Sequence, residues 1–208
     1  MPDNFERIVV LDTETSGTSN KCQILTIDAL FAERKDGIYQ PLGEPFHAEV
    51  ARQPWARIEA EALQVTGIDI DLWKGEGEEE VLGKLITWVS QTAKSTYNMV
   101  CGYNVEFDIN FLKRMIHRSI QFGGDIKTSK RTWTRMFSYR ELDVLQLALW
   151  SHVQGYLEAP ANFRLETLAK ALGVWREGAH DSSVDVLMTL DVLNELNRRV
   201  MNAKMAGS

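Results

Sequence analysis

Ile8-Val9-Val10-Leu11-Asp12-Thr13-Glu14-Thr15 runs four apolar residues, three of them β-branched, directly into two carboxylates two positions apart. An unbroken apolar run of this kind predicts a central strand buried on both faces. Side chains at i and i+2 of a strand share a face, so Asp12 and Glu14 project together from the strand's carboxyl end. Two ionised carboxylates that close repel each other unless a cation lies between them. Hard oxygen ligands select Mg²⁺ or Mn²⁺ over zinc. Taken alone, the pair is equally a solvated strand end that happens to be acidic.

The remaining 200 residues set the frame. A chain of 208 residues fits one domain with a substantial core, expected over 1–208 with the core within about 7–200. Its 44% hydrophobic and 25% charged residues are ordinary for a globular protein. No apolar run approaches the length of a membrane span, and Met1-Pro2-Asp3-Asn4-Phe5-Glu6-Arg7 has no signal-peptide character. Cys22 and Cys101 have neither zinc-site spacing nor a disulfide framework, so a reducing, cytoplasmic compartment is expected. A net charge of −6 argues against a protein that coats duplex nucleic acid. It does not argue against an enzyme that grips a strand end through bound metal ions and a local basic patch.

Beyond the first strand, Ser16-Gly17-Thr18-Ser19-Asn20 reads as a loop. Leu25, Ile27, Ala29 and Phe31 alternate with Thr26, Asp28, Leu30 and Ala32, predicting a second strand. Asp36-Gly37 marks a hairpin-type turn, and Phe46, Ala48 and Val50 predict a third strand. The spacing predicts helices over 58–65 and 78–94, the latter with three acids at its positive end. Met99-Val100-Cys101-Gly102 is a fourth strand, followed by a helix built on Phe107, Phe111 and Met115. Residues 141–144 are a fifth strand running into a helix through Trp150. Leu165, Leu168 and Leu172 mark a helix ended by Gly173, and the last helix covers about 182–200. Strands first, then strands alternating with helices, give an α/β fold with a mixed five-stranded sheet flanked by helices.

Two further acidic stretches accompany the first: Asp108 in Gly102-Tyr103-Asn104-Val105-Glu106-Phe107-Asp108, and His180-Asp181-Ser182-Ser183-Val184-Asp185. Singly, each has a plain structural explanation. Asp108 suits the positive end of its helix, Ser182 and Asp185 have capping-box spacing, and His180 is then an ordinary loop histidine. Together, Asp12-x-Glu14, Asn104-x-x-Phe107-Asp108 with Phe111-Leu112, and His180-x₄-Asp185 fall in one order over residues 8–196. This constellation resembles the histidine-bearing branch of the DEDD superfamily of 3′–5′ exonucleases, the branch of RNase T and of polymerase proofreading subunits. Glu61-Ala62-Leu63-Gln64-Val65-Thr66-Gly67-Ile68, Leu142-Asp143-Val144-Leu145 and Leu165-Glu166-Thr167-Leu168-Ala169 also look familial. The sequence departs from the pattern at Tyr103, where His is frequent, and at Ser182, where a small Ala is common.

The resemblance implies an RNase H-like fold and phosphodiester hydrolysis with two Mg²⁺ or Mn²⁺ ions. It assigns Asp12 to both metals, Glu14 and Asp185 to the one that binds the attacking water, and Asp108 to the one facing the leaving 3′-oxygen. His180 would be the general base, its ordinary pKa near 6.5 suiting neutral pH. Asp181 would either tune it or cap the helix, and the cap is favoured. Thr13, Thr15 and Ser16 would approach the terminal 3′-hydroxyl. Leu63, Val65 and Thr66 would contact the last bases, with core packing the competing explanation for the apolar pair. Asn104 would position the segment carrying Asp108. Separately, Lys127-Thr128-Ser129-Lys130-Arg131-Thr132-Trp133-Thr134-Arg135-Met136-Phe137-Ser138-Tyr139-Arg140 interleaves five basic residues with three aromatics. Such a stretch tracks phosphates and stacks bases in single-strand binding, with Lys130 and Arg131 as the contacts, or is a solvated loop with its rings in the core. The expected partner is a single-stranded DNA or RNA 3′ end, with a polymerase or a second copy of the chain as further candidates. A non-catalytic nucleic-acid-binding module and a proofreading subunit are the alternatives.

Overall fold

Strand β1 (Arg7–Thr15) lies in the middle of its sheet, buried from Ile8 to Leu11, as its apolar run requires. The computed structural model describes residues 6–93, 98–121, 126–178 and 181–206. Among these, β2 (Ile24–Lys35) pairs antiparallel with β1, β3 (Ile38–Pro41) and β4 (Phe46–Glu49) both pair antiparallel with β2, and β5 (Met99–Gly102) pairs parallel with β1. β6 (Glu141–Asp143) closes the sheet, parallel to β5. The helices are α1 (Ala60–Thr66), α2 (Glu78–Thr92), α3 (Glu106–Gln121), α4 (Ile126–Met136), α5 (Val144–Val153), α6 (Leu165–Leu172) and α7 (Ser182–Ala206). None of them is long and apolar enough to cross a membrane.

Among the described residues the sheet has six strands rather than the expected five. The extra one is β3, formed because Asp36 (φ 52°) and Gly37 (φ 85°) adopt the two positive φ values of a tight hairpin. Four residues containing Gln40 and Pro41 carry too little apolar pattern to announce a strand. Tertiary contacts supply the rest: Asn194 of α7 accepts from the Tyr39 amide at 2.8 Å and donates to its carbonyl at 2.8 Å. The basic stretch is likewise a helix, α4, over most of its length, because Trp133, Met136 and Phe137 are buried against the sheet's helical layer. β2 is buried on both faces from Ile24 to Ala32.

Two cores explain that burial. Val9, Leu11, Ile27, Ala29 and Phe31 face α2, α3 and α4. Ile8, Val10, Leu30 and Ala32 face α5, α6 and α7. By strand alternation, Asp12, Glu14, Thr26 and Asp28 belong to the second face, where α7 packs.

Candidate metal centre

Strand alternation places Asp12 and Glu14 on the α7 side at the end of β1, and α7 packs against both β1 and β2. Its first turn carries Asp185. One carboxylate oxygen from each of Asp12, Glu14 and Asp185 lies within 4.8 Å of the others.

Asp108 arrives from the opposite layer, in the first turn of α3. It is 4% exposed, and its Oδ1 accepts hydrogen bonds from the Thr13 amide at 3.0 Å and the Thr13 hydroxyl at 2.6 Å. The turn before α3 is tight. A Cβ at Gly102 would stand 2.7 Å from the Leu11 carbonyl oxygen, so only glycine lets β5 end this close to β1. Asn104 then takes a left-handed φ of 59°, and its amide donates to Asp143 Oδ1 at 3.1 Å. Asp143 also caps α5 through Leu145 N at 2.9 Å. One carboxylate therefore ties the β5–α3 turn to the β6–α5 junction.

These acids raise one another's proton affinity. Burial is the largest cause for Asp12, followed by Asp108, Asp185 and Glu14, and its pKa lies well above the usual carboxylate range. Burial, then Asp185 and Asp108, push Glu14 up to about 7. Burial pushes Asp108 up to about 7 against the opposing Thr13 hydrogen bonds. Like charges packed this way are a cost that a divalent cation converts into binding energy. The donor set contains only oxygen, which fits Mg²⁺ or Mn²⁺ and not a thiol- or imidazole-seeking ion.

His180 lies outside the described residues. Asp181 caps α7, its Oδ1 accepting from the Ser183 amide at 3.0 Å and hydroxyl at 2.6 Å. Ser182 and Asp185 have capping-box spacing, but the Ser182 hydroxyl turns to Asp28 of β2 instead.

Thr13 is thus bound to Asp108, and the Thr15 hydroxyl donates to the Gly17 carbonyl at 2.8 Å. Ser16 is buried, its hydroxyl donating to the Arg57 carbonyl at 2.7 Å and accepting from Gln23 N at 3.0 Å. The Ser16 carbonyl in turn accepts from the Glu59 amide at 2.8 Å, which fixes the start of α1 beside the end of β1. No residue of α1 is buried: Val65 is 56% exposed and Leu63 and Thr66 are half-buried. Core packing therefore does not account for Leu63 and Val65.

Lys130 and Arg131 are exposed on α4. Lys130 lines a groove of about 430 Å³ with Lys113, His117, Trp133 and Tyr139. At 1.5 Å per residue, Lys113 and His117 stand about 8 and 14 Å along α3 from Asp108. Trp133 is a core residue with Lys113 over its ring, not a free stacking surface.

Residues that the sequence reading passed over are Thr26, Asp28 and His47. Asp28, only 3% exposed, is bonded to both Ser182 and His47. Its signal was a charged residue inside an otherwise apolar strand, which needs partners when buried.

Among known proteins, the model of the exonuclease (RNase T) family matches residues 9–193. No curated protein matches the chain. Solved structures do. Exonuclease I of E. coli in complex with a dA16 oligonucleotide superposes with TM-score 0.76 at 22% identity, covering 95% of this chain and 42% of that one. Its zinc-bound complex with single-stranded DNA gives 0.75 at 22%, covering 93% and 41%. The moderately thermophilic exonuclease I of Methylocaldum szegediense gives 0.72 at 21%, covering 93% and 40%. The chain spans about two fifths of the length of these proteins, and at this identity the likeness concerns the fold.

Proposed function

Because the chain belongs to the exonuclease family, within the DEDD superfamily, we propose that it is a metal-dependent 3′–5′ exonuclease that shortens single-stranded DNA. The observation that carries this reading is the meeting of Asp12, Glu14 and Asp185 within 4.8 Å, with Asp108 held against the same strand by Thr13. DNA is favoured over RNA because the exonuclease I structures with the same fold hold deoxyoligonucleotides. The unit that acts is a single domain over residues 1–208. The two buried free thiols, Cys22 and Cys101, suit a reducing cytoplasm.

Asp12, Glu14, Asp108 and Asp185 would hold two divalent ions, which supply an activated water and neutralise charge on the phosphate and leaving oxygen. Asp12 would serve both ions, Glu14 and Asp185 the one that supplies the water, and Asp108 the one beside the leaving oxygen. Thr13 fixes the Asp108 carboxylate through Oδ1. His180, two positions before Ser182 in the sequence, would take the proton of the attacking water at neutral pH. The β1–β2 loop, with the backbone of Thr15 and Ser16, borders the terminal sugar, and Leu63 and Thr66 on α1 meet the last base.

The test uses single-stranded DNA and RNA of one sequence, each 5′-labelled, with Mg²⁺, Mn²⁺ or chelator, beside Asp12→Ala. A ladder receding from the 3′ end, faster on DNA, dependent on metal and absent in the variant, is expected. A folded wild-type chain that shortens neither strand with either metal overturns the reading.

A further inference from the structure

The Asp28 carboxylate is the terminus of a hydrogen-bonded chain that begins at a metal ligand. The Glu14 amide donates to Thr26 Oγ1 at 3.3 Å. Thr26 Oγ1 and Ser182 Oγ are 2.9 Å apart. Ser182 Oγ is bonded to Asp28 Oδ2, and His47 Nδ1 lies 3.0 Å and 3.1 Å from the two Asp28 oxygens. An ionised carboxylate only accepts, and each hydroxyl has one hydrogen. Ser182 therefore donates to Asp28, Thr26 donates to Ser182, and His47 presents Nδ1–H. The order is Glu14 N–H to Thr26 to Ser182 to Asp28, with His47 closing it from the other side.

Thr26, Asp28 and Ser182 are 7%, 3% and 3% exposed, so water does not replace these bonds. The chain joins β1 to the first residue of α7, three residues ahead of Asp185. Strand register places it at the site, since Asp12 pairs with Asp28 and Asp28 with His47. Ser182, where the family commonly has Ala, has its partner here, and a small apolar residue at 182 would leave Asp28 with His47 alone.

Resting on the metal-hydrolase reading above, we propose that Asp28 is a positioning residue that, through Ser182 and Thr26, sets Asp185 against Asp12 and Glu14 for metal binding. Asp28 touches neither metal nor strand. It fixes the start of α7 and thereby the distance between carboxylates from the two ends of the fold.

Mn²⁺ affinity is measured by calorimetry without nucleic acid, alongside hydrolysis and melting in chelator, for the wild type, Asp28→Ala, Asp28→Asn and Ser182→Ala. Outer-shell changes of this kind cost about 10–100-fold in metal affinity. Asp28→Ala is expected to weaken Mn²⁺ binding at least about tenfold, and Ser182→Ala somewhat less. Asp28→Asn keeps an acceptor for Ser182 and restores binding to within about threefold. A purely structural role would lower the melting temperature and leave the affinity of the folded variant unchanged. Folded Asp28→Ala with wild-type affinity overturns the inference alone. Should Asp28→Ala not fold, an unchanged affinity in Ser182→Ala does so. A wild-type chain that binds no Mn²⁺ overturns the metal-hydrolase reading and the inference together.

Discussion

Asp12 and Asp28 sit directly opposite each other on antiparallel strands, two carboxylates on one face of the sheet. Asp28 adds to the forces that raise Asp12 and Glu14, along with Asp108 and Asp185.

Metal-free stability must therefore fall with rising pH. Glu14 and Asp108 have folded-state pKa values near 7, against ordinary values of 4.5 and 3.8. Between those limits the folded chain binds protons that the unfolded chain has released. The stabilisation is present below the unfolded values and is lost as pH rises through the folded ones. In chelator the melting temperature is expected to be lower at pH 8 than at pH 5.5 by at least about 3 °C. Mg²⁺ binds the ionised form, so its stabilising increment grows over the same interval. A metal-free melting temperature that is flat or rises over this range contradicts the buried-charge account.

Thr13 donates twice to Asp108, once from its amide and once from its hydroxyl. Thr13→Val keeps the shape and the amide bond and deletes the hydroxyl. The expected result is a fall in kcat of about tenfold with KM for the strand little changed, because the carboxylate is mis-set and no strand contact is lost. Steady-state kinetics at saturating Mg²⁺ decide it, and an unchanged kcat shows that the amide alone holds Asp108.

Leu63→Ala with Val65→Ala separates a strand contact from a packing role. No residue of α1 is buried, so the melting temperature should move by less than about 2 °C. KM on single-stranded DNA should rise several-fold. A large loss of stability at constant KM would return both side chains to the core.

Lys130→Ala with Arg131→Ala probes the α4 groove. If the strand runs along it, affinity drops and the slope of log K against log salt shrinks by about 1 to 1.5, the share of two phosphate contacts on a single strand. Equal slopes in variant and wild type remove α4 from the binding surface.

Much of this architecture was legible in the sequence because the decisive features are local. β1 announces itself by four buried residues in a row, α3 by Phe111 and Met115, and the three acidic stretches by their spacing. What stayed hidden depends on contacts between distant segments. β3 exists because Asn194 satisfies Tyr39. α4 carries four basic residues and Trp133 on eleven positions, and only its packing on α3 shows that the ring is interior. Asp28 looked like the polar half of an alternating strand until α7 was laid over it. Leu63 and Val65 have the composition of core residues and are not, since α1 rests on the surface through its Glu59 amide and Ser16.

The Thr26–Ser182 bond joins residues 156 positions apart. Synthesis proceeds from the amino end, and domains form as their segments leave the ribosome. β1 and β2 emerge well before α7, so Asp185 and the Ser182 hydroxyl reach them only after the intervening segments have been made. A nascent chain therefore presents three of the four acids and no closed ion site. A fragment that lacks α7 lacks Asp185 and the Ser182 hydroxyl together.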